Sequence, residues 1–215
     1  MGAEAEIRVP ERVRHPIFAR VYQRLSASEE KAGAGEHRHE LLAGLQGRVV
    51  ELGAGNGLNF KHYPETVDEV IAVEPEPYLR ERARRAAEKA PVPVRVVDGE
   101  AGALPSRDGE FDAGIASLVL CSVADQAAAL RELHRVIKPG GELRFYEHVA
   151  AHGRKGQVHK RIDPIYTRFS GGCHLTRDTT AAIEGAGFHI QRSRRFPFPP
   201  GLLALPHVLG VARRN

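Results

Sequence analysis

The sequence predicts an α/β fold in which a mostly parallel sheet of seven strands is covered by helices on both faces. Short apolar runs alternate with amphipathic helical patterns as far as Val149, which is typical of parallel strands joined by crossover helices. Three alternate glycines follow the first apolar run, at the point where such sheets bind ligands. Two apolar runs close together at the end of the chain predict an antiparallel hairpin at one edge of the sheet.

Composition is that of an ordinary globular chain. The 215 residues are 42% hydrophobic and 27% charged, which is enough for one domain with a sizeable core. The net charge of +4 is diluted by glutamates beside the arginines of residues 80–85, so no nucleic-acid partner is expected. The two cysteines, Cys121 and Cys173, form neither a disulfide framework nor a CxxC metal site.

No run of residues has the length and apolarity of a membrane span, and the charged N-terminal residues do not resemble a signal peptide. A cytoplasmic protein is therefore expected.

Residues 1–47 are predicted to form helices that precede the sheet. Apolar residues at i, i+4 spacing predict a helix from Pro16 to Leu25, and a second helix is predicted from Arg38 to Leu45, before Gly47. These helices are expected to form a lid, and residues 48–215 the main part of a single compact domain.

The remaining elements follow from apolar runs, turn residues and prolines. The predicted strands are 48–52, 70–73, 92–97, 111–117, 142–149, 188–196 and 207–213. The predicted helices are 57–63, 78–90, 126–136 and 177–186, the last with Thr176 as its cap. Residues 151–173 are basic, rich in histidine and interrupted by Asp163-Pro164 and Gly171-Gly172, so no element is predicted there.

The glycine turn has the pattern E-x-G-x-G-x-G from Glu51 to Gly57. Glycine allows a positive φ and a close approach of the backbone to a ligand. The dinucleotide pattern G-x-G-x-x-G is excluded because Leu58 or Phe60 occupies its last position, and no Gly-Lys-Ser/Thr completes a phosphate-binding loop. Glu74, seventeen residues after Gly57, ends the second predicted strand, where a carboxylate can accept hydrogen bonds from a ribose diol.

These features resemble motif I and the acidic loop of class I S-adenosylmethionine (SAM) methyltransferases, which have a Rossmann-like fold. The segment Gly99-Glu100-Ala101-Gly-Ala-Leu-Pro105 is similar to the G-D-A-x-x-L-P segment of the small methyltransferase family called Methyltransf_11. In that family the acid contacts the adenine amino group. This chain has Glu100 where Asp is commoner, and Asp98 is an alternative.

The resemblance implies that SAM is the cofactor and S-adenosylhomocysteine its product. It also implies a set of cofactor-binding residues around the strand ends. They are Tyr22, Glu51, Gly53, Ala54, Gly55, Gly57, Asn59, Glu74, Pro75, Gly99, Glu100, Ala101, Ser117 and Leu118.

A narrower resemblance is to the methyltransferase-like 7 group, alkyl-thiol S-methyltransferases of animals. It is carried by Leu118–Val123, Tyr146–Ala151, Asp163-Pro164 and Gly172–Arg177 in that order, and by Asn59-Phe60-Lys61-x-Tyr63-Pro64 after the glycines. It implies a small-molecule acceptor, with a thiol favoured and a hydroxyl next. The animal group has Cys in place of Ala54 and begins with a hydrophobic membrane anchor, so stable membrane association is not expected of this chain. N-methylation of a phospholipid or another amine, and a SAM-binding module without turnover, remain alternatives.

The resemblance points to His148, Cys173 and His174 as the residues that face the acceptor. His148 ends the fifth strand, where a histidine can serve as a general base or shape the pocket through a backbone hydrogen bond. Cys121 is expected to be a small buried residue. The histidines of residues 151–174 have no metal-ligand spacing, so no metal is predicted. The oligomeric state does not follow from the sequence.

Overall fold

The computed structural model of the chain describes Ala19, Tyr22, Gln23, Ser26, residues 28–200 and residues 204–215. The first predicted helix, from Pro16 to Leu25, lies largely outside these residues.

The described residues contain one seven-stranded sheet. Its strands are β1 Gly47–Leu52, β2 Val67–Val73, β3 Val94–Val97, β4 Phe111–Ser117, β5 Ile137–His148, β6 Phe188–Phe198 and β7 Leu205–Arg214. They lie in the order β3-β2-β1-β4-β5-β7-β6. The first five strands are parallel, and β7 pairs antiparallel with both β5 and β6. The predicted parallel sheet with an antiparallel edge hairpin is confirmed.

Helices cover both faces of this sheet. They are α1 Gly35–Leu42, α2 Pro77–Ala87, α3 Gln126–Val136, α4 Gly153–Phe169 and α5 Thr179–Gly185. A π-helical turn, Glu30–Ala34, leads into α1. Among the described residues there is no helix with the combined length and apolarity required to cross a bilayer.

Acidic side chains begin three of the helices. Glu76 accepts a hydrogen bond from the Leu79 amide at the start of α2, and Asp125 accepts one from the Ala128 amide at the start of α3. Such side chains satisfy amide groups that lack partners within the helix. Asp178 caps α5. The prediction of Thr176 as this cap is wrong by two residues, because α5 begins at Thr179.

The structure differs from the prediction in three other segments. Where a helix was predicted at 57–63, only a single 3₁₀ turn, Phe60–His62, forms before Pro64. The segment is too short to offset the cost of starting an α-helix. Strand β5 begins at Ile137 and incorporates the Lys138–Gly141 turn as an irregularity in its pairing with β4. Residues 151–173, for which no element was predicted, contain the 17-residue helix α4.

The core consists of two apolar layers, one on each face of the sheet. Along β1, Val50 and Leu52 lie in one layer and Val49 in the other, because successive side chains of a strand point to opposite faces. Helix α3 covers the first layer with Leu130 and Leu133. Helices α1 and α2 cover the second. Burial on both faces leaves the carboxyl ends of the parallel strands as the place for a ligand.

Candidate active site

The glycine turn follows β1 and is hydrogen-bonded to the end of β2. Gly53, Gly55 and Gly57 all have positive φ, at 62°, 58° and 80°. A Cβ on Gly53 would lie 2.3 Å from a methyl carbon of Val119, so this position has no room for a larger residue. The Gly55 amide donates a 2.7 Å hydrogen bond to the Glu74 carboxylate. The turn and the acid that were predicted to act together are therefore in direct contact.

Glu74 is a buried carboxylate with unused accepting capacity. It accepts one hydrogen bond from the Gly55 amide and one, at 2.9 Å, from the Glu76 amide. A carboxylate has about four lone-pair sites, so both oxygens can still accept from a ligand. Burial raises the pKa of Glu74 to about 7, although the two amide hydrogen bonds and the nearby Arg80 guanidinium oppose this shift. This buried acceptor lies beside three glycines that have no side chains, and it fits the ribose hydroxyls of SAM.

Pro75 and Asp98 are both engaged by Arg80. The guanidinium donates to the Pro75 carbonyl at 2.8 Å and to Asp98 at 2.9 Å. Asp98, the alternative to Glu100, is thus held in an exposed ion pair. At the end of β3, Gly99 packs so closely on Val73 that a Cβ would lie 2.9 Å from it. The next residue, Glu100, forms a short bridge with Ala103, and Ala101 between them is partly buried.

Tyr22, from the N-terminal part of the chain, lies over the glycine turn. Its hydroxyl is 3.3 Å from the position that a Cβ on Gly55 would take. Burial raises the pKa of Tyr22 to about 12, so the phenol stays protonated. Ser26 from the same part of the chain accepts a hydrogen bond from Asn56 in the turn. Ala54, between the first two glycines, is buried in the second apolar layer.

A buried polar network holds three more of the predicted residues. Glu51 accepts hydrogen bonds from Asn59 at 2.8 Å and from the Tyr63 hydroxyl at 2.7 Å. Arg38 donates to Asn59 at 2.9 Å and to Ser117 at 3.1 Å. Burial raises the pKa of Glu51 to about 7. Apart from a 2.8 Å ion pair between Arg38 and Glu30, the described polar contacts of these side chains are with one another, so the network supports the turn from behind. No sequence motif identified Arg38, whose helix precedes the sheet.

The chain after β4 is held by a buried glutamate. Leu118 has a φ of 56°, and it is the only non-glycine residue in the described ranges with a positive φ. Such strain persists where the surroundings impose it. Glu147 accepts hydrogen bonds from the amides of Val119, Leu120 and Cys121 at 2.9, 2.9 and 3.1 Å. Sequence reasoning missed this role, although an acid at the apolar carboxyl end of β5 was a signal for it.

Two thiols and an imidazole meet beside this loop. The Nδ1 atom of His148 lies 3.3 Å from the Cys173 sulfur and 3.5 Å from the Cys121 sulfur. The three atoms lie within 4.8 Å of one another. We call Cys121, His148 and Cys173 the sulfur cluster. The structure thus brings His148 and Cys173 together, as predicted, and adds Cys121.

The sulfur cluster shifts the proton affinity of its members. A hydrogen bond from Cys121, with another from His148, lowers the pKa of Cys173 to about 5. The same contact with Cys173, together with burial, raises the pKa of Cys121. Burial alone would lower the pKa of His148, but the hydrogen bond and charge of Cys173 outweigh it and raise that pKa. Cys173 is therefore the member of the cluster whose thiolate form its neighbours favour.

Asp163 on α4 positions the segment that carries Cys173. Its carboxylate accepts hydrogen bonds from the Leu175 amide at 2.5 Å and from the His174 ring at 3.0 Å. The His174 amide in turn donates to the Cys121 carbonyl at 2.8 Å. The His174 ring, predicted to face the acceptor, is thus paired with Asp163 outside the sulfur cluster. The sequence showed Asp163 as part of an Asp163-Pro164 motif of the family resemblance, but it did not indicate that this side chain holds the segment.

Comparison with known proteins gives consistent results. A family model described as a methyltransferase domain matches residues 50–145. Thiol S-methyltransferase TMT1B from Homo sapiens is 35% identical over 180 residues, which are 80% of this chain and 73% of the relative. Demethylmenaquinone methyltransferase from Thermus thermophilus is 37% identical over 172 residues, 78% of this chain and 75% of the relative.

The fold is also found among solved structures. A SAM-dependent methyltransferase from Thermotoga maritima superposes with a TM-score of 0.70 at 23% identity, covering 93% of this chain and 98% of the other. At that identity the likeness concerns the fold. Sequence identity to TMT1B over most of both chains, the matching domain and the glycine turn with its buried acid lead to one conclusion. The chain belongs to the methyltransferase family that includes thiol S-methyltransferase TMT1B, and it is a SAM-dependent enzyme.

Proposed function

We propose that this enzyme transfers the methyl group of SAM to the sulfur of a small thiol. The observation that carries this proposal is the sulfur cluster at the carboxyl ends of β4 and β5, beside the loop that begins at Leu118. A free thiol with a pKa near 8.5 is only a few per cent thiolate at neutral pH. The His148 imidazole, whose pKa is raised by the hydrogen bond and charge of Cys173 despite burial, is placed to accept the proton of a thiol bound beside the cluster.

The name of the relative TMT1B supports a thiol acceptor, and that of the relative from Thermus thermophilus indicates that other acceptors occur among similar chains. SAM supplies a methyl group that is already activated by its sulfonium charge. The protein therefore has to bind, orient and deprotonate the acceptor and exclude water.

We assign the cofactor to the strand ends. Glu74 would accept from the ribose hydroxyls, and Gly53, Gly55 and Gly57 would allow close approach of the backbone. Glu100 and Ala101 would contact the adenine, and Leu118 the methionine half. Tyr22 and the rest of residues 1–47 would close over it as a lid. Glu51, Asn59 and Ser117 would keep the turn in shape through Arg38.

The experiment is incubation of the purified chain with labelled SAM and a panel of thiols, phenols, amines and a quinone precursor. S-adenosylhomocysteine is the product measured. We expect turnover with small alkyl thiols, and loss of most of it in the His148→Ala variant. His152→Ala, which changes an exposed histidine outside the sulfur cluster, is the matched control. Turnover confined to amines or quinones, or full turnover in His148→Ala, would reject the assignment. SAM binding without any product would identify a binding module.

One observation favours a second acceptor class, a lipid amine. Helix α4 exposes Val158, Ile162 and Ile165, which are 53%, 42% and 67% accessible, next to basic residues such as Lys155 and Arg161. An apolar stripe with basic neighbours is typical of a helix that lies on a membrane surface. Co-sedimentation with anionic vesicles, together with methylation of an amine head group, would establish this function in place of the thiol reaction.

We favour a cytoplasmic location, since free thiols persist in reducing compartments.

A further inference from the structure

We propose that Cys121, His148 and Cys173 form a binding site for a soft divalent metal ion, with Zn²⁺ as the expected occupant and one coordination position open. No metal was predicted from the sequence, because the three residues come from three separate segments and have no metal-ligand spacing. They follow β4, end β5 and follow α4, respectively. The tertiary structure brings their ligand atoms within 4.8 Å of one another.

The ligand types suit this ion. Thiolate and imidazole are the ligands that zinc takes from proteins, and three protein ligands with a fourth position open are typical of catalytic rather than structural zinc sites. Among the described residues, no other group of three or more histidine, cysteine or acidic side chains has this geometry.

The distances also suit it. Zinc–sulfur and zinc–nitrogen bonds of about 2.3 and 2.0–2.1 Å at a tetrahedral centre place neighbouring ligand atoms roughly 3.5–3.8 Å apart. The two distances from His148 Nδ1 to sulfur are 3.3 and 3.5 Å. A small outward movement of the side chains would therefore admit the ion.

The ligands are held in place from outside the site. Glu147 binds the amide of Cys121, and Ser122 Oγ lies 3.5 Å from the Cys121 sulfur. Asp163 fixes the segment that carries Cys173. Preorganised ligands with supporting hydrogen bonds are what a metal site requires.

The position of the site suggests its use, and this step rests on the proposed function. The acceptor thiol takes the open position, loses its proton to solvent on coordination and is held as a metal-bound thiolate. In this arrangement His148 Nδ1 is a ligand and not the base predicted from the sequence.

The first test uses the full chain, stripped with a chelator and reloaded with Zn²⁺ or Co²⁺. We expect one ion per chain, thiolate-to-cobalt charge-transfer absorption, and a zinc X-ray absorption spectrum that fits two sulfur ligands and one nitrogen. Cys173→Ser and His148→Ala should weaken zinc binding by more than about 100-fold, beyond the 10–100-fold that loss of an outer partner costs. His148→Cys, which supplies another thiolate, should retain the ion, and Ser122→Ala, which removes only an outer partner, should cost no more than about 10–100-fold.

Circular dichroism of each metal-free variant checks that it is folded. The cobalt and zinc spectra of the unaltered chain test the site even if a variant fails to fold. Failure of the unaltered chain to retain zinc, or equal affinity in Cys173→Ser, would overturn the site and leave a hydrogen-bonded thiol–imidazole group in its place.

The second test adds a small thiol to the cobalt-loaded chain without SAM. A change in the cobalt spectrum with thiols but not with phenols supports coordination of the acceptor. An unchanged spectrum rejects it. Thiol turnover that survives complete metal removal would reject the catalytic role of the ion while leaving the proposed function intact. Metal binding without turnover of any thiol would reject the proposed function and leave the site.

Discussion

Two buried glutamates at the glycine turn have different surroundings and so different expected roles. Glu74 accepts from two backbone amides and faces the turn. Glu51 accepts from two side chains, Asn59 and Tyr63, behind the turn. Burial raises the pKa of each to about 7. Substitution of the first should therefore affect ligand affinity, and substitution of the second should affect stability.

Glu74→Ala is expected to weaken SAM binding by roughly 1.5–3 kcal/mol, because hydrogen bonds to a charged acceptor are lost. Isothermal titration calorimetry measures this change. Asp68→Ala, which removes an exposed acid at the opposite end of the same strand, should leave affinity unaltered. Unchanged affinity in Glu74→Ala would reject the assignment of this residue to the cofactor.

Glu51→Gln is expected to change how stability depends on pH. The pKa of Glu51 is about 7 in the folded chain, against 4.5 for an unperturbed glutamate. Between these values the unfolded chain has lost more protons than the folded chain, so the free energy of unfolding falls as pH rises. The fall due to this residue is up to about 3 kcal/mol. Glu74 contributes in the same window, so the difference between Glu51→Gln and the unaltered chain is the quantity to measure.

Urea unfolding at several pH values from 4.5 to 7.5 gives that difference. Glu65→Gln, an exposed glutamate before β2, should reproduce the unaltered pH dependence. If Glu51→Gln also loses stability with the unaltered slope, the carboxyl of Glu51 does not titrate in this window.

At the level of elements, the loop after β4 depends on the strand beside it. Glu147 of β5 binds three successive amides of this loop, and Arg177 donates to the Leu120 carbonyl at 2.7 Å. The loop carries both the strained residue Leu118 and Cys121 of the sulfur cluster. Its conformation is therefore determined by side chains from other segments and not by its own sequence.

Glu147→Gln is expected to destabilise the fold by about 1–3 kcal/mol, since the new amide group would point a donor at the Cys121 amide. It should also reduce thiol turnover, because Cys121 shifts. Urea unfolding and steady-state kinetics measure the two effects. Glu142→Gln on the same strand removes a partly exposed carboxylate that pairs with buried Arg144 and exposed Arg213. Arg144 keeps its hydrogen bonds to the Leu41 and Ala43 carbonyls, so this variant should cost less than about 1 kcal/mol. Similar results for both variants would show that the three amide contacts do not stabilise the loop.

For the whole molecule, the antiparallel hairpin completes the sheet next to the active site. Gly210 on β7 lies opposite Phe145 on β5. A Cβ at Gly210 would lie 2.5 Å from the Phe145 ring and 2.7 Å from the Arg192 carbonyl oxygen. Phe145 is fully buried, so neither neighbour can move without disturbing the core.

Gly210→Ala is therefore expected to lower stability by about 1–3 kcal/mol through overpacking, measured as a lower melting temperature. Gly185→Ala, at an exposed position in α5 with nothing within 4 Å, should raise stability by up to about 1 kcal/mol, because alanine favours the helix. An equal effect of the two substitutions would mean that the close contact between β5 and β7 does not limit stability.

The fold class follows from the sequence alone, and so does our choice of the strand ends to which we assign the cofactor. Strands such as Phe111–Ser117 and helices such as Gln126–Val136 have the predicted bounds, because their apolar spacing is a local property of the chain. The glycine turn and Glu74 were also identified from sequence, since both stand at the ends of predicted strands. The helix at 153–169 was missed because its glycines and proline hide the periodic pattern.

Which side chains meet depends on the tertiary structure. Arg38 joins Glu51's network from a helix that precedes the sheet, and Glu147 reaches a loop that follows a neighbouring strand. Cys121, His148 and Cys173 come together because β4 and β5 are adjacent and Asp163 holds the segment beyond α4 against them. Such contacts depend on strand order and packing across long stretches of chain, and no local spacing encodes them.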